Sequence, residues 1–115
     1  MTDKNCLFCK IIAGEIPSKK VYEDEDLYAF HDINPQAPTH VLVCPKRHID
    51  RVVHMEAGDE ELIGKVVFRA KEIAKELKVT EGFRLVFNNG APAGQSVWHV
   101  HVHLLGGRSF SWPPG

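Results

Sequence analysis

The chain has 115 residues, 43% of them hydrophobic and 25% charged, with a formal net charge of -1. That length suits about one domain and buries a core without staples. The near-neutral balance excludes bulk electrostatic capture of nucleic acid or of an anionic membrane, so an anionic ligand must be held by a local site. No apolar run approaches a membrane span, and the opening MTDKNCLFCKII lacks a signal-peptide core. The sequence therefore reads as a cytoplasmic protein with no membrane or nucleic-acid partner. Its three cysteines are an odd count, which does not make a disulfide framework.

In chain order, LFCKIIAGEIP (Leu7–Pro17) predicts a short helix stopped near Gly14 and Pro17. Val21–Tyr22 and Leu27–His31 flank the polar turn Glu23–Asp26 and predict a hairpin. INPQAP is a loop broken by Pro35 and Pro38, and THVLVCP (Thr39–Pro45) is a buried strand. From Asp59 the period changes. Leu62, Ile63, Val66, Val67, Ala70, Ile73, Ala74 and Leu77 form one helical stripe. Asp59, Glu60 and Glu61 at its start and Lys75 and Lys78 at its end suit the helix dipole. After Gly82 come a strand, Phe83–Asn88, the loop NGAPAGQS, and a strand over Val97–Leu105. Short connections imply an antiparallel sheet of about five strands with helices on one face, an α+β fold within a single domain of 115 residues.

The last strand holds the chemistry. WHVHVHL alternates strictly, and alternate residues of a strand share a face, about 7 Å per step. His99, His101 and His103 therefore form a row, while Trp98, Val100, Val102 and Leu104 point into the core. A solvated face that happens to use histidine would explain one imidazole, not three in register, because histidine is scarce and titrates near neutrality. Aligned neutral imidazoles offer bare nitrogens for nucleophilic attack or for metal binding. Gly90 and Gly94 of the preceding loop let the backbone approach a ligand, and Ser96 adds a hydroxyl donor. Together these describe a phosphate cradle beside a nucleophile.

HVHVHLL resembles the His-φ-His-φ-His-φ-φ signature of the histidine triad (HIT) superfamily. FHDINPQAPTHVLVCPKRHI, GQSVWHVHVHLLGGR and the terminal WPPG resemble its Hint branch, the purine nucleoside phosphoramidases, over nearly the whole chain. The resemblance implies a HIT-like fold in a homodimer whose sheets join across the interface, with the tail 108–115, and Trp112 in it, reaching toward the partner copy. It implies binding of purine nucleotides such as AMP and GMP. It also implies cleavage of P–N bonds in nucleoside phosphoramidates, and of aminoacyl adenylates, through a nucleotidylated His101. No cofactor is required for that catalysis.

Carried over, His103 contacts the α-phosphate and helps protonate the leaving group. The carbonyl of His99 orients His101, and His40 completes the chain behind it. Asn88, Gly94, Gln95 and Ser96 contact phosphate, and Asp32 accepts from the ribose hydroxyls. Phe8, Ile16, Phe30, Ile33 and Leu42 form the slot for the base, with His31 at its edge. Cys6 and Cys9 form half of a tetrahedral zinc site. Some microbial HIT proteins complete it with the equivalents of His48 and His99, which implies a closed, structural zinc here. Three other functions stay open at this level: a metallohydrolase with zinc on the triad, a nucleotide-binding scaffold with little turnover, and a dinucleoside polyphosphate hydrolase.

Overall fold

Strands buried on both faces organise the molecule. The computed structural model describes residues 3–115. In chain order these form helix α1 (Leu7–Ile12), strands β1 (Lys20–Glu23), β2 (Leu27–His31) and β3 (Thr39–Pro45), helix α2 (Glu60–Glu76), and strands β4 (Phe83–Phe87) and β5 (Val102–Gly106). The strands pair antiparallel in the order β1-β2-β3-β5-β4, a five-stranded sheet with β3 at its centre.

Alternation along β2, β3 and β5 sorts side chains between two cores. Leu27, Ala29, Val41, Val43, Val102 and Leu104 face α2 and pack on its Val66, Ala70, Ile73 and Ala74. Tyr28, Phe30, Leu42 and Cys44 face the other way and pack on Cys6, Phe8, Cys9 and Ile11 of the α1 region. The two helices therefore cover opposite faces of the sheet, not one face as the loop lengths suggested. A six-residue helix carries too little amphipathic signal for its face to be read from sequence. The α2 stripe holds except at Val67, which lies at its solvent edge and is exposed.

The second difference concerns the histidine segment. The strand begins at Val102, so Val97–His101 lies outside the ladder, with a bend over Val97–His99. The cause is Pro45 at the end of β3. It has no N–H to continue the ladder, and its carbonyl is taken by the His99 ring. The Val100 N–H bonds instead to the Ile49 carbonyl at 2.7 Å. Val100, Val102 and Leu104 are buried as the alternation predicts, but Trp98 is not in the core. It is 39% exposed, with the Arg51 guanidinium 4.6 Å above its ring. Among the described residues no helix is long and apolar enough to cross a membrane.

Candidate active site

The three imidazoles stay on one side of the chain despite the irregular backbone. The His101 and His103 rings lie 4.9 Å apart, and the His40 ring lies 5.2 Å from that of His103. Backbone partners fix which nitrogen of each ring carries the proton, because a carbonyl only accepts and an amide N–H only donates. His101 Nδ1 sits 2.7 Å from the His99 carbonyl, so Nδ1 holds the proton and Nε2 keeps its lone pair. The Gln36 N–H donates to His40 Nδ1 at 3.0 Å, so neutral His40 carries its proton on Nε2. That proton is donated to His103 Nδ1, 2.9 Å away, which leaves the proton of His103 on Nε2. The result is one bare nitrogen beside one N–H.

Asp32 anchors this chain. Its Oδ2 lies 3.3 Å from His40 Nε2, and its Oδ1 accepts the Asn34 N–H at 2.8 Å. His40, His103 and Asp32 come close enough together to suggest a cation site. The proton on His40 Nε2 makes the trio a hydrogen-bonded chain that orients His103 instead.

Burial holds the site neutral. Loss of solvation lowers the imidazoles of His40, His101 and His103 below their usual range, and for His103 the value falls to about 4, with His101 and His40 adding repulsion. Between about pH 4 and the ordinary imidazole value of 6.5, the unfolded chain binds protons that the folded one refuses. The His103 contribution to stability is complete above about pH 6.5 and is lost as pH falls toward 4, and His40 and His101 act in the same direction. Urea unfolding should therefore show a lower midpoint at about pH 5 than at about pH 7. An equal or higher midpoint at the lower pH would contradict neutral burial.

A cleft of about 550 Å³ opens over these rings. That volume suits a small-molecule ligand. Phe8, Phe30, Ile33 and Leu42 line it on the apolar side. Asp32, Asn88, Gly94, Ser96, His101 and His103 line it on the polar side. Phe8 meets Phe30 edge to face at 5.2 Å and His101 at 4.9 Å. Ile33 stands at the rim of the cleft, 97% exposed, and is not an interior wall.

Three sequence-level candidates stand elsewhere. Ile16 is half-buried against the α1 core and does not line the cleft. His31 is exposed at the end of β2 and faces a neighbouring hollow with Pro17, Ser18 and Lys19. Gln95 is buried with both ends of its amide engaged. Its Oε1 accepts the Gly90 N–H, and its Nε2 donates to the carbonyls of Asp50 and Val97. Its backbone N–H donates to the Gly90 carbonyl. Gln95 therefore braces the loop from within and offers no free group to a phosphate. Gly90 and Gly94, at φ 90° and 97°, let this turn close.

Sequence reasoning missed Leu7, Ile11 and Val97 on the cleft wall. The spacing of Phe8 and Ile11, one helical step of three, was a legible signal. The backbone N–H of Gln36, which sets the His40 tautomer, has no sequence signature.

On its other side, His99 leaves the cleft altogether. It is fully buried, and its Nε2–H donates to the Pro45 carbonyl at 2.7 Å, which leaves Nδ1 bare. Nδ1 lies 3.3 Å from Cys6 Sγ, 3.6 Å from Cys9 Sγ and 3.3 Å from His48 Nδ1, while Cys9 Sγ is 3.5 Å from His48 Nδ1. Ligands about 2.0–2.3 Å from a tetrahedral zinc stand roughly 3.3–3.8 Å from one another, so the donor set fits that ion. Burial pushes the Cys6 thiol up to about 11, so ionising it calls for a cation beside it. The triad is thus divided: one imidazole turns to the thiols and two turn to the cleft.

The comparisons agree with this geometry. Residues 13–110 match the family model described as the HIT domain. An uncharacterized HIT-like protein of Synechocystis is 50% identical over 112 residues, covering 97% of this chain and 98% of that one. A 14 kDa zinc-binding protein of Zea mays is 48% identical over 118 residues, covering 100% of this chain and 91% of that one. The crystal structure of a HIT family hydrolase from Legionella pneumophila superposes with a TM-score of 0.95 at 52% identity, covering 96% of this chain and 100% of that one. With His101 and His103 at the cleft, His99 beside the thiols and this match across most of its length, the chain belongs to the histidine triad family.

Proposed function

We propose that the protein is a Hint-type purine nucleoside phosphoramidase that works through a covalent nucleotidyl-His101. The observation that carries this reading is the His101 Nδ1–H bond to the His99 carbonyl, which leaves the Nε2 lone pair beside the cleft. A nucleophilic imidazole needs that tautomer. In the first step His101 Nε2 attacks the α-phosphorus, the P–N bond breaks, and the amine leaves with the proton of His103 Nε2. In the second step water attacks the phosphorus, the N–P bond to His101 breaks, and the nucleoside monophosphate is released. His103 recovers its proton from that water, with His40 and Asp32 holding the ring in place. Catalysis rests on positioning and charge stabilisation, as phosphoryl transfer generally does.

The base lies between Phe8, Phe30 and Leu42, with Ile33 folding over it. Asp32 accepts from the ribose hydroxyls. Asn88, Gly94 and Ser96 contact the phosphate, and Gln95 shapes the loop that presents them. Cys6, Cys9, His48 and His99 hold a structural zinc, which when bound supplies a closed cross-link and no open coordination position. The protein works as a homodimer in the cytoplasm, and Trp112, 83% exposed on the tail, reaches the second copy.

Substrate class separates this reading from a polyphosphate hydrolase. With adenosine 5′-phosphoramidate and a diadenosine polyphosphate offered at equal concentration, the expected result is faster release of AMP from the P–N compound, read by chromatography. Faster cleavage of the polyphosphate would overturn the assignment. Binding of AMP with turnover of neither would favour a scaffold.

A further inference from the structure

The Cys6–Cys9–His48–His99 cluster lies behind the cleft and bears on two of its parts. On one side it holds α1, which has six residues and no acidic group in its first turn. A helix so short has little stability of its own. Its Leu7, Phe8 and Ile11 nevertheless form a wall of the cleft, and Phe8 lies 4.9 Å from the His101 ring. Cys6 and Cys9 stand at the start and middle of this helix, where the Cys6 sulfur also accepts the Cys9 N–H. On the other side the cluster holds His99, whose ring is pinned at both nitrogens and whose carbonyl takes the His101 Nδ1 proton at 2.7 Å. One residue thus joins the donor cluster to the nucleophile within a single hydrogen bond.

We propose that this cluster, when it carries its metal, is a positioning joint for catalysis: it fixes the α1 wall against the base and fixes the His99 carbonyl that orients His101. Cys6, Cys9 and His48 are on this account positioning residues that act through His99 and α1. Loss of the metal loosens both sides together, weakening nucleotide binding and the His101 hydrogen bond while the α2 face of the sheet stays folded. The inference rests on the zinc reading given above.

The test compares the zinc-replete full-length protein, the same protein stripped by a chelator, and the stripped protein reloaded with zinc. Two readouts are followed besides turnover: AMP affinity by calorimetry, and the slowly exchanging His101 Nδ1–H resonance by NMR. Stripping is expected to cost AMP affinity on the order of tenfold and to broaden the resonance, with zinc restoring both. His48→Gln, which removes one half-buried ligand and leaves both thiols, is expected to do the same in a folded chain. Unchanged affinity and an unchanged resonance in stripped, folded protein and in His48→Gln would overturn the coupling alone. Failure of the chain to bind either zinc or cobalt, with no thiolate-to-cobalt absorption, would overturn the metal reading and the coupling with it.

Discussion

His101→Ala should lose turnover of an adenosine phosphoramidate by more than about a hundredfold, at least roughly 3 kcal/mol of barrier, while still binding AMP. The size follows from the kind of group removed. A residue that only bound the phosphate would share its work with Ser96 and the Gly94 loop. A nucleophile has no substitute, and without it the two-step path is closed. The variant should keep its fold, because the imidazole stands at the cleft edge of the minor core and not under α2. Its far-ultraviolet circular dichroism and AMP affinity by calorimetry separate chemistry from folding. A His101→Ala protein that turns over within a few-fold of wild type would make His101 a binding residue.

His103→Ala should divide substrates by their leaving groups. An amine departs only with a proton, and His103 Nε2–H stands ready to give one because His40 donates to its other nitrogen. General acid catalysis of this kind contributes about 10²–10⁴-fold. An aminoacyl adenylate expels a carboxylate, which needs no proton. The variant is thus expected to lose about a hundredfold or more on the phosphoramidate and far less on the acyl adenylate, measured as single-turnover rates on the two substrates. Equal losses would assign His103 to phosphate binding alone. Gln36 acts through its backbone N–H, so side-chain substitutions at Gln36 should leave the His40 tautomer intact.

Much of this was legible because two periods dominate the chain. The 3.6-residue stripe gave α2 nearly to its ends, and the two-residue alternation of β2, β3 and β5 assigned side chains to faces. The histidine row was legible in part: His101 and His103 both line the cleft, but the backbone bends over Val97–His99 and His99 turns to the thiols. What escaped depends on single backbone groups. Pro45 ends the ladder five residues early in space, so Trp98 leaves the core and packs on Arg51. Gln95 reads as a phosphate donor until its amide is seen bracing its own loop. His31 and Ile16 are near the cleft in sequence, but the register of β2 turns His31 to the other face. The split of the triad was half legible: the Cys-x-x-Cys pair announced a donor set, but only the Pro45 carbonyl shows which nitrogen of His99 is free to join it.

The most direct measurement is mass spectrometry of protein quenched during turnover of an adenosine phosphoramidate, followed by peptide mapping. The mechanism requires one adenylyl group on the peptide carrying His101, appearing and decaying at rates that match turnover and absent from His101→Ala. An enzyme that turns over with no adduct at any quench time, or with the adduct on His103 or His99, would show that phosphorus is not transferred through the nitrogen left bare by the His99 carbonyl.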